Sequence, residues 1–547
     1  MHYILDQRQS KRLDAHSIET MGISGLFLME QAARSVFQEI QKRFDEKNSI
    51  LIVVESGNNG GDGLALSRLL KEAGYPVEVY YIHGISHESE AFLEQMRLSL
   101  QKDVIIRKEL PTEQYYDVIV DGIFGVGLKR AVRGIQERVI KWMNRLSSYK
   151  VSLDLPSGIH ATTGEVLGTA VEADLTITFG YLKSGLIRYP GHYYVGELLV
   201  KDIGFAKESL WHVKPQMVTF GTGEEAQKEA FSYYPKRLAD SHKGTFGNVL
   251  LIVGSKGMAG AATFAAKAAY ECGCGLVRVL THESNRVVLQ MAVPEAVVMT
   301  YETLDEAYAR LDESWEWADS VLIGSGLGQS ETALGLTRAV ITYTSEKKGS
   351  MPVVLDADAC NLLAVHKDIM EQYEALPKEK QNRLTLTPHS MELSRLTGAS
   401  VSMLHKKRLT LTNRMLRSLH LSDRMIVVAK DARTIVTKGR GLSYINMTGN
   451  HGMATAGMGD CLAGMITSFY AQVRRQEKKM KEQLQKHRLK MLPSFTDPYM
   501  AAACMAVCFH GLAGDKAKKS EGSISMMASD LLDYLPMVLK DYDTLDK

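Results

Sequence analysis

Cysteine is scarce in this chain: the 547 residues contain 6, namely Cys272, Cys274, Cys360, Cys461, Cys504 and Cys508. That density does not suggest a disulfide framework, and a reducing compartment fits better. The close pairs Cys272-x-Cys274 and Cys504-x3-Cys508 sit in Ala-rich apolar stretches without a histidine cluster, so they read as buried thiols rather than metal ligands. Net charge is almost absent, since 65 Lys+Arg against 63 Asp+Glu leave +2. No chain-wide basic field draws nucleic acid or acidic lipid, so neither is expected as a partner. There is no run of about 18 apolar residues of the kind that spans a membrane. The opening MHYILDQRQSKRLDAHSIET lacks a signal-type apolar core, and a cytoplasmic location is the expectation. What remains is an ordinary globular balance of 45% hydrophobic and 23% charged residues. At roughly 100–200 residues per domain, the length calls for at least two domains.

Two alternating series of elements run along the chain. In the first, ISGLFLMEQAARSVFQEIQKRF has a helical period, SILIVV reads as a buried strand, GNNGGDG breaks it, and LALSRLLKEAG resumes as a helix ending at Gly74. VEVYYI, YDVIVDGIFG, VSLDLPSG and ADLTITFG are further strands, with GIQERVIKWMNRL helical between them. Between about residues 205 and 243 the pattern weakens and reads as a connector, dividing the chain near residue 220. The second series begins at NVLLIVGS and continues through LVRVLTH, SVLIGSGLG, PVVLDADA and LTLTPH to the hairpin-like MIVVAKDARTIVTKG. Short apolar strands alternating with helices imply an α/β fold, with parallel sheets covered on both faces. The stretch VRRQEKKMKEQLQKHRLKML at 473–492 reads as a solvated basic helical insertion.

Chemistry gathers first where strands of the first series end. GNNGGDG (Gly57–Gly63) joins a strand to a helix, where glycines permit close approach to a ligand and a helix start offers free N–H groups to an anion. Asn58, Asn59 and Asp62 add hard oxygen donors suited to a cation or to hydroxyls. Asp121, Asp154 and Ser157 also fall at strand C-termini, the side on which parallel sheets bind ligands. An aspartate there is suited to moving a proton on a small molecule.

GNNGGDG, VDGIFGVGLKRAVRG and SLDLPSGIHATTGE resemble the YjeF N-terminal family, the NAD(P)H-hydrate epimerases, over about residues 10–210. The resemblance implies a Rossmann-like three-layer domain, assigned to residues 1–215, with a K+ ion in its site. It places Asn59, Asp121 and Ser157 on the ion. It places Asn58, Asn59, Gly60, Gly61, Asp62, Gly125, Val126, Gly127, Leu128, Lys129, Arg130, Ala131 and Asp154 on the hydrated nucleotide, with Asp154 as the acid–base catalyst. One departure is VVESG before the loop, where the family has a small-residue, Gly-containing segment.

A second cluster lies near the C-terminus. In GNHGMATAGMGDCLAGMITSF, a glycine-rich turn enters an apolar helix with Asp460 at the junction. Gly457 and Gly459 permit tight approach, and the helix start suits phosphate charge. Asp460 is placed to orient or deprotonate a hydroxyl beside that phosphate, as phosphoryl transfer requires. KGMAGAATFAAKAAYECGCG, GSGLG, LDADACNLL and TPHSMEL supply further strand-end turns; His389 reads as a ligand contact, while Lys430 and Arg433 are available to phosphates.

Together with HGLAGD at 510–515, these segments resemble the ribokinase-like, ADP- or ATP-dependent NAD(P)H-hydrate dehydratases over about residues 235–540, assigned as a domain at 230–547. The resemblance implies that Lys430, Asp431, Ala432, Arg433, Thr434 and Gly459 contact the nucleotide. It places Ala261, Gly326, His389 and Asp460 on the hydrated cofactor, with Asp460 catalytic and Mg2+ accompanying ADP or ATP. Departures are Ala456-Gly457-Met458-Gly459-Asp460 for the family's Gly-Gly-Thr-Gly-Asp, His389-Ser390-Met391-Glu392 for His-Pro-Gly-Glu, and Asp431 and Arg433 in place of hairpin glycines. The expected substrates are NADHX and NADPHX, the expected assembly a homo-oligomer. The competing reading is a ribokinase-class kinase of a sugar or vitamin fused to a non-catalytic binding domain.

Overall fold

The computed structural model describes residues 1–83, 88–344, 350–419, 424–487 and 494–542. By contact, the chain divides into a unit of His2–Gln216 and a unit of Met217–Lys547 joined by Met1. In chain order the strands are β1 (His2–Leu5), β2 (Ile50–Val54), β3 (Val77–Tyr81), β4 (Ile105–Arg107), β5 (Val118–Gly122), β6 (Tyr149–Leu153), β7 (Leu175–Phe179), β8 (Leu182–Lys183) and β9 (Glu197–Lys201) in the first unit. The second unit holds β10 (Met217–Thr219), β11 (Asn248–Ile252), β12 (Leu276–His282), β13 (Val297–Tyr301), β14 (Ser320–Ile323), β15 (Pro352–Leu355), β16 (Arg383–Leu386), β17 (Met425–Ala429), β18 (Ile435–Thr437) and β19 (Ser443–Ile445).

In the first unit a 7-stranded sheet runs β4-β3-β2-β5-β6-β7-β9, and every pairing is parallel. β2 reads ILIVV and is buried at every position, as a strand covered on both faces must be. One face packs against helices Gly25–Gln41, Asn58–Glu72 and Glu90–Gln101 through residues such as Ile40, Leu66 and Phe92. The other packs against helix Ile135–Arg145 through Val139, Ile140 and Met143. At about 1.5–3 kcal/mol per fully buried aliphatic side chain, these two faces are the principal source of stability. The strand order reverses between β2 and β5, which is where an open parallel sheet forms its ligand crevice.

In the second unit, β13-β12-β11-β14-β15-β16-β17 are parallel neighbours. β17 and β18 then form the antiparallel hairpin expected of VVAKDARTIV, and β19 extends it. Helices Ala259–Glu271 and Met458–His487 pack closely on one another, with Gly464 so near that a Cβ there would lie 2.3 Å from the Ala265 carbonyl oxygen. All six cysteines are buried and free, the state expected from their surroundings. Among the described residues no helix is long and apolar enough to cross a membrane.

Three expectations need correction. GNNGGDG is not a loop: the helix begins at Asn58, with Gly57 as its cap, because its glycines let helix and sheet touch. A Cβ on Gly60 would lie 1.7 Å from the Glu55 carbonyl oxygen, and one on Gly63 would lie 2.7 Å from Val54 Cγ1. Residues 205–243 are not merely a connector, since they contain helices Lys207–Val213 and Gly223–Phe231 with β10 between them. The described part of the basic stretch is docked rather than solvated. It continues helix Met458–His487 past a kink at Gln476, buries Met480 and Leu484, and pairs Arg475 with Asp319 at 2.8 Å. Residues 488–492 of that stretch lie outside the described residues.

Candidate active sites

A cavity of about 940 Å3 opens beyond the C-terminal ends of β2, β5 and β6. Its wall includes Asn58, Asn59 and Asp62 from the glycine-rich helix start, Gly125–Arg130 from the turn after β5, and Asp154 from the turn after β6. Gly60 and Gly61 do not line it; they serve the helix packing instead. Ala131 also lies off the wall.

Asp154 takes a left-handed backbone with φ +63°, uncommon for a residue with a side chain and often found where function requires it. Its Oδ1 accepts hydrogen bonds from Lys183 Nζ at 2.6 Å, Thr178 Oγ1 at 3.1 Å and the Phe179 amide at 3.2 Å. Lys183 also donates to the Phe179 carbonyl at 2.7 Å, so the buried pair is held from both sides. Its Oδ2 has no partner among the described residues, leaving half of a fixed carboxylate for a ligand. Two more carboxylates face the same cavity. Burial, reinforced by Asp154 and Asp14, pushes Asp62 well above the ordinary range. Asp14 is exposed to the cavity, yet partial desolvation by the surrounding walls pushes its carboxyl up to about 6.

Asp121 and Ser157 meet beside this cavity without lining it. Ser157 Oγ donates to Asp121 Oδ1 at 2.5 Å, and the Ser157 amide and Ser152 Oγ donate to Oδ2 at 2.8 and 2.9 Å. Asn59 reaches the same turn: a Cβ on Gly125 would lie 3.4 Å from its Oδ1, while its buried Nδ2 has no partner among the described residues. The oxygens of Asp121, Ser157 and Asn59 are of the kind a hard monovalent cation takes, whereas the unpartnered Nδ2 is a donor and calls for an acceptor on the ligand. Burial pushes Asp121 upward despite its hydrogen bonds, a tendency that an adjacent cation reverses.

In the second unit Asp460 lies in the first turn of helix Met458–His487. Gly457 before it has φ +89°, and a Cβ there would lie 2.8 Å from both Phe264 and Ala528. Burial, then the nearby Asp356, pushes Asp460 up to about 6. His510 of HGLAGD pairs its Nε2 with the Met458 carbonyl at 3.0 Å, and burial pushes this imidazole down to about 4, so it donates as a neutral ring. Asp515 of the same motif accepts from the Gly449 amide at 2.9 Å and from Asn450 at 3.1 Å, anchoring the glycine turn.

Lys430 joins this site from the end of β17. Its Nζ contacts Asp356 Oδ1 at 2.8 Å and lies where a Cβ on Gly459 would come within 3.2 Å. Burial works against its charge, but Asp356 and Glu392 outweigh that and hold it above the ordinary lysine range. Asp356 also accepts from Ser325 at 2.9 Å and Thr387 at 2.5 Å. Ala261 and Gly326 are adjacent, since a Cβ on Gly326 would meet that of Ala261 at 2.7 Å.

His389 does a second job besides any ligand contact. It caps helix Ser390–Thr397, accepting from the Met391 amide at 3.1 Å, and its Nε2 lies 3.1 Å from Glu392. Asp431 is paired with Arg408, which also donates to the Arg433 carbonyl at 2.6 Å. The extra acid in the hairpin is thus neutralised inside the protein. Ala432 and Thr434 close the same turn, the Ala432 amide donating to Asp431 at 2.7 Å and Thr434 Oγ1 to the Asp431 carbonyl at 3.0 Å.

Sequence reasoning missed Asp14, Lys183, Asp356 and Glu392. Asp356 carries the same signal as Asp154, a carboxylate directly after a buried strand. Lys183 and Asp14 carry no local signal, because only the tertiary fold brings them to the cavity.

Fold and sites together define a two-unit α/β enzyme, a Rossmann-like half and a ribokinase-like half, each with its own strand-end carboxylates. Residues 25–185 match the YjeF-related protein N-terminus family and residues 249–537 the NAD(P)H-hydrate dehydratase family. The chain is 32% identical over 565 residues to the bifunctional NAD(P)H-hydrate repair enzyme Nnr of Moorella thermoacetica, covering 99% of this chain and 97% of that one. It is 33% identical over 541 residues to the Nnr of Coxiella burnetii, covering 98% and 100%. The ADP/ATP-dependent NAD(P)H-hydrate dehydratase of Bacillus subtilis, co-crystallised with ATP/Mg2+, is similar at 27% identity and a TM-score of 0.45, over 58% of this chain and 97% of that one. The chain belongs to the family of bifunctional NAD(P)H-hydrate repair enzymes.

Proposed function

We propose that this protein repairs hydrated NADH and NADPH, the first unit interconverting the two epimers and the second removing water from the S epimer at the expense of ADP or ATP. The observation that carries the reading is that one chain equips both sites. Asp154 stands fixed in a cavity sized for a nucleotide, and Asp460 stands at a glycine-flanked helix start beside Lys430.

Hydration of a dihydronicotinamide puts the hydroxyl on C6, because the ring nitrogen stabilises positive charge on the carbon it adjoins. Epimerisation must therefore invert C6. Asp154 exchanges the proton of that inversion, and Lys183 fixes the carboxylate and balances its charge. The helix start at Asn58 and the Gly125–Arg130 turn bind the nucleotide through backbone N–H groups, with Lys129 and Arg130 near its phosphates. Asn59, Asp121 and Ser157 would hold K+, which when bound supplies positive charge beside the substrate.

In the second unit the C6 hydroxyl attacks the terminal phosphoryl group while Asp460 takes its proton. Hydroxide leaves poorly and phosphate leaves well. The C6–O bond then breaks with electrons from N1, and loss of the C5 proton restores the ring double bond. Lys430, Asp431, Ala432, Arg433, Thr434 and Gly459 bracket the nucleotide, and Ala261, Gly326 and His389 the hydrate. Mg2+ accompanying the nucleotide would supply charge neutralisation there.

The test is an epimer-resolved assay of the full chain on hydrated NADH with ADP and ATP compared. Recovery of the NADH absorbance band, with both epimers consumed, is the expected result. An unchanged hydrate, or a stable phosphorylated sugar or vitamin in its place, overturns the reading.

A further inference from the structure

We propose that Asp14 is a second acid–base residue of the epimerase site, serving the departing C6 hydroxyl while Asp154 serves the water that re-adds. The proposal rests on the epimerase reading of the first unit. Asp14 lies outside the span matched to the YjeF-related family, which begins at residue 25.

The helix that carries it, Gln7–Ala15, is built to hold a position. Asp6 caps it, with Oδ1 accepting from the Gln9 amide at 2.8 Å while Gln9 Oε1 accepts from the Asp6 amide at 3.1 Å. Gln7, Ser10 and Leu13 turn inward. Gln7 Nε2 donates to the carbonyls of Val126 and Leu128, at 2.5 and 3.0 Å, so the helix is fastened to the turn assigned to the nucleotide. The Gln7 amide donates to Thr162 Oγ1 at 2.9 Å, a second fastening. One helical turn beyond Gln7 and Ser10, this anchorage places Lys11 and Asp14 on the cavity wall, and the π-turn His16–Thr20 adds Ile18 to it.

Unlike Asp154, Asp14 makes no hydrogen bond and no ion pair with any described residue, so nothing structural consumes its carboxyl. The charged groups that face it across the cavity are Lys11 on its own helix, Glu55 and Asp62 after β2, Lys129 and Arg130 after β5, Asp154 after β6 and Lys183 in β8. Partial desolvation raises its affinity for a proton, Lys183 lowers it, Asp154 raises it again and Lys11 lowers it, for a value of about 6. A carboxyl so poised is half protonated near pH 6 and still about one-tenth protonated at pH 7, a reserve on which a general acid can draw.

The step balances. Asp14 gives its proton to the C6 hydroxyl, the C6–O bond breaks, and the N1 lone pair forms an N1=C6 iminium with release of water. A water then adds to the other face: a new C6–O bond forms, the N1=C6 pair returns to N1, and the surplus proton passes to Asp154. The reverse direction uses the same two groups in exchanged roles. In both directions the active form carries one proton on the pair, so the rate falls as pH rises through the Asp14 titration.

The experiment uses the full chain, the R hydrate of NADH and no nucleotide, following the epimer ratio by chromatography between pH 5 and 9. Asp14→Asn is expected to lower kcat by about 100-fold and to remove the decline above pH 6, while nucleotide-dependent dehydration of the S hydrate stays at the parent rate. Asp14→Glu is expected to restore a measurable part of kcat. An Asn variant within about threefold of the parent with an unchanged pH profile overturns the assignment, as does equal loss in Asn and Glu variants accompanied by a lowered melting temperature. If the parent itself does not epimerise, the epimerase reading is what fails.

Discussion

Replacing Asp460 with Asn should stop dehydration and make the second unit more stable, and the size of the gain follows from the site. Burial and Asp356 raise this carboxyl from 3.8 to about 6. At about 1.4 kcal/mol per pKa unit, the ionised form costs the folded state on the order of 3 kcal/mol above pH 7. The sign follows from linkage. A carboxyl whose folded value is raised favours folding fully below its unfolded value and loses that advantage as pH rises through the folded value. Asn mimics the protonated form at every pH, so the difference between variant and parent should be largest at pH 8, shrink from pH 6 downward and vanish near pH 4. Nothing is orphaned by the exchange, because Lys430 keeps its contact with Asp356. The measurement is thermal unfolding of both proteins, without nucleotide, across this range. The Asn variant should melt a few degrees higher at pH 8, where it also fails to dehydrate the hydrate. A variant that melts lower at pH 8, or a difference that ignores pH, would refute the account of a carboxylate held against its own solvation for the sake of chemistry.

Three further outcomes are expected. Asp154→Asn should abolish epimerisation yet leave dehydration of the favoured epimer intact; Asn tolerates the left-handed backbone, but buried Lys183 loses its counter-charge, so the first melting transition should fall while circular dichroism keeps its folded signature. Exchanging K+ for Na+ should slow epimerisation but not dehydration, and Asp121→Asn should make epimerisation indifferent to the exchange; a parent equally fast in both salts would remove the cation from that site. Gly60→Ala should destabilise the first unit by about 3 kcal/mol, because its Cβ would fall 1.7 Å from a backbone oxygen; an unshifted first melting transition would contradict that packing.

The parallel sheets were readable because each buried strand is an unbroken apolar run, as in Ile50–Val54, and the β17–β18 hairpin because a polar turn interrupts two such runs. Carboxylates at strand ends were readable for the same reason, since topology alone assigns them to one side. Side chains that arrive from elsewhere were not. Lys183 follows its partner by 29 positions, and Asp14 lies on helix Gln7–Ala15, far in sequence from every strand end that marks the site. The basic stretch was misread because its composition is charged throughout, while two buried residues, Met480 and Leu484, decide where it docks. His389 and Asp431 show the remaining limit: their nearest partners, Glu392 and Arg408, give them structural duties that residue type does not announce.

Because the glycine-rich segment at Asn58 is already wound and wedged against Glu55, a nucleotide bound there as proposed would meet amides that need no rearrangement. Capture should therefore proceed without the entropic toll of freezing a wandering loop, and its rate should be governed by diffusion and charge. The same rigidity leaves evolution little latitude: even one methyl group at Gly60 has nowhere to go, so diversity among recognised cofactors must come from the walls around this turn rather than from the turn itself.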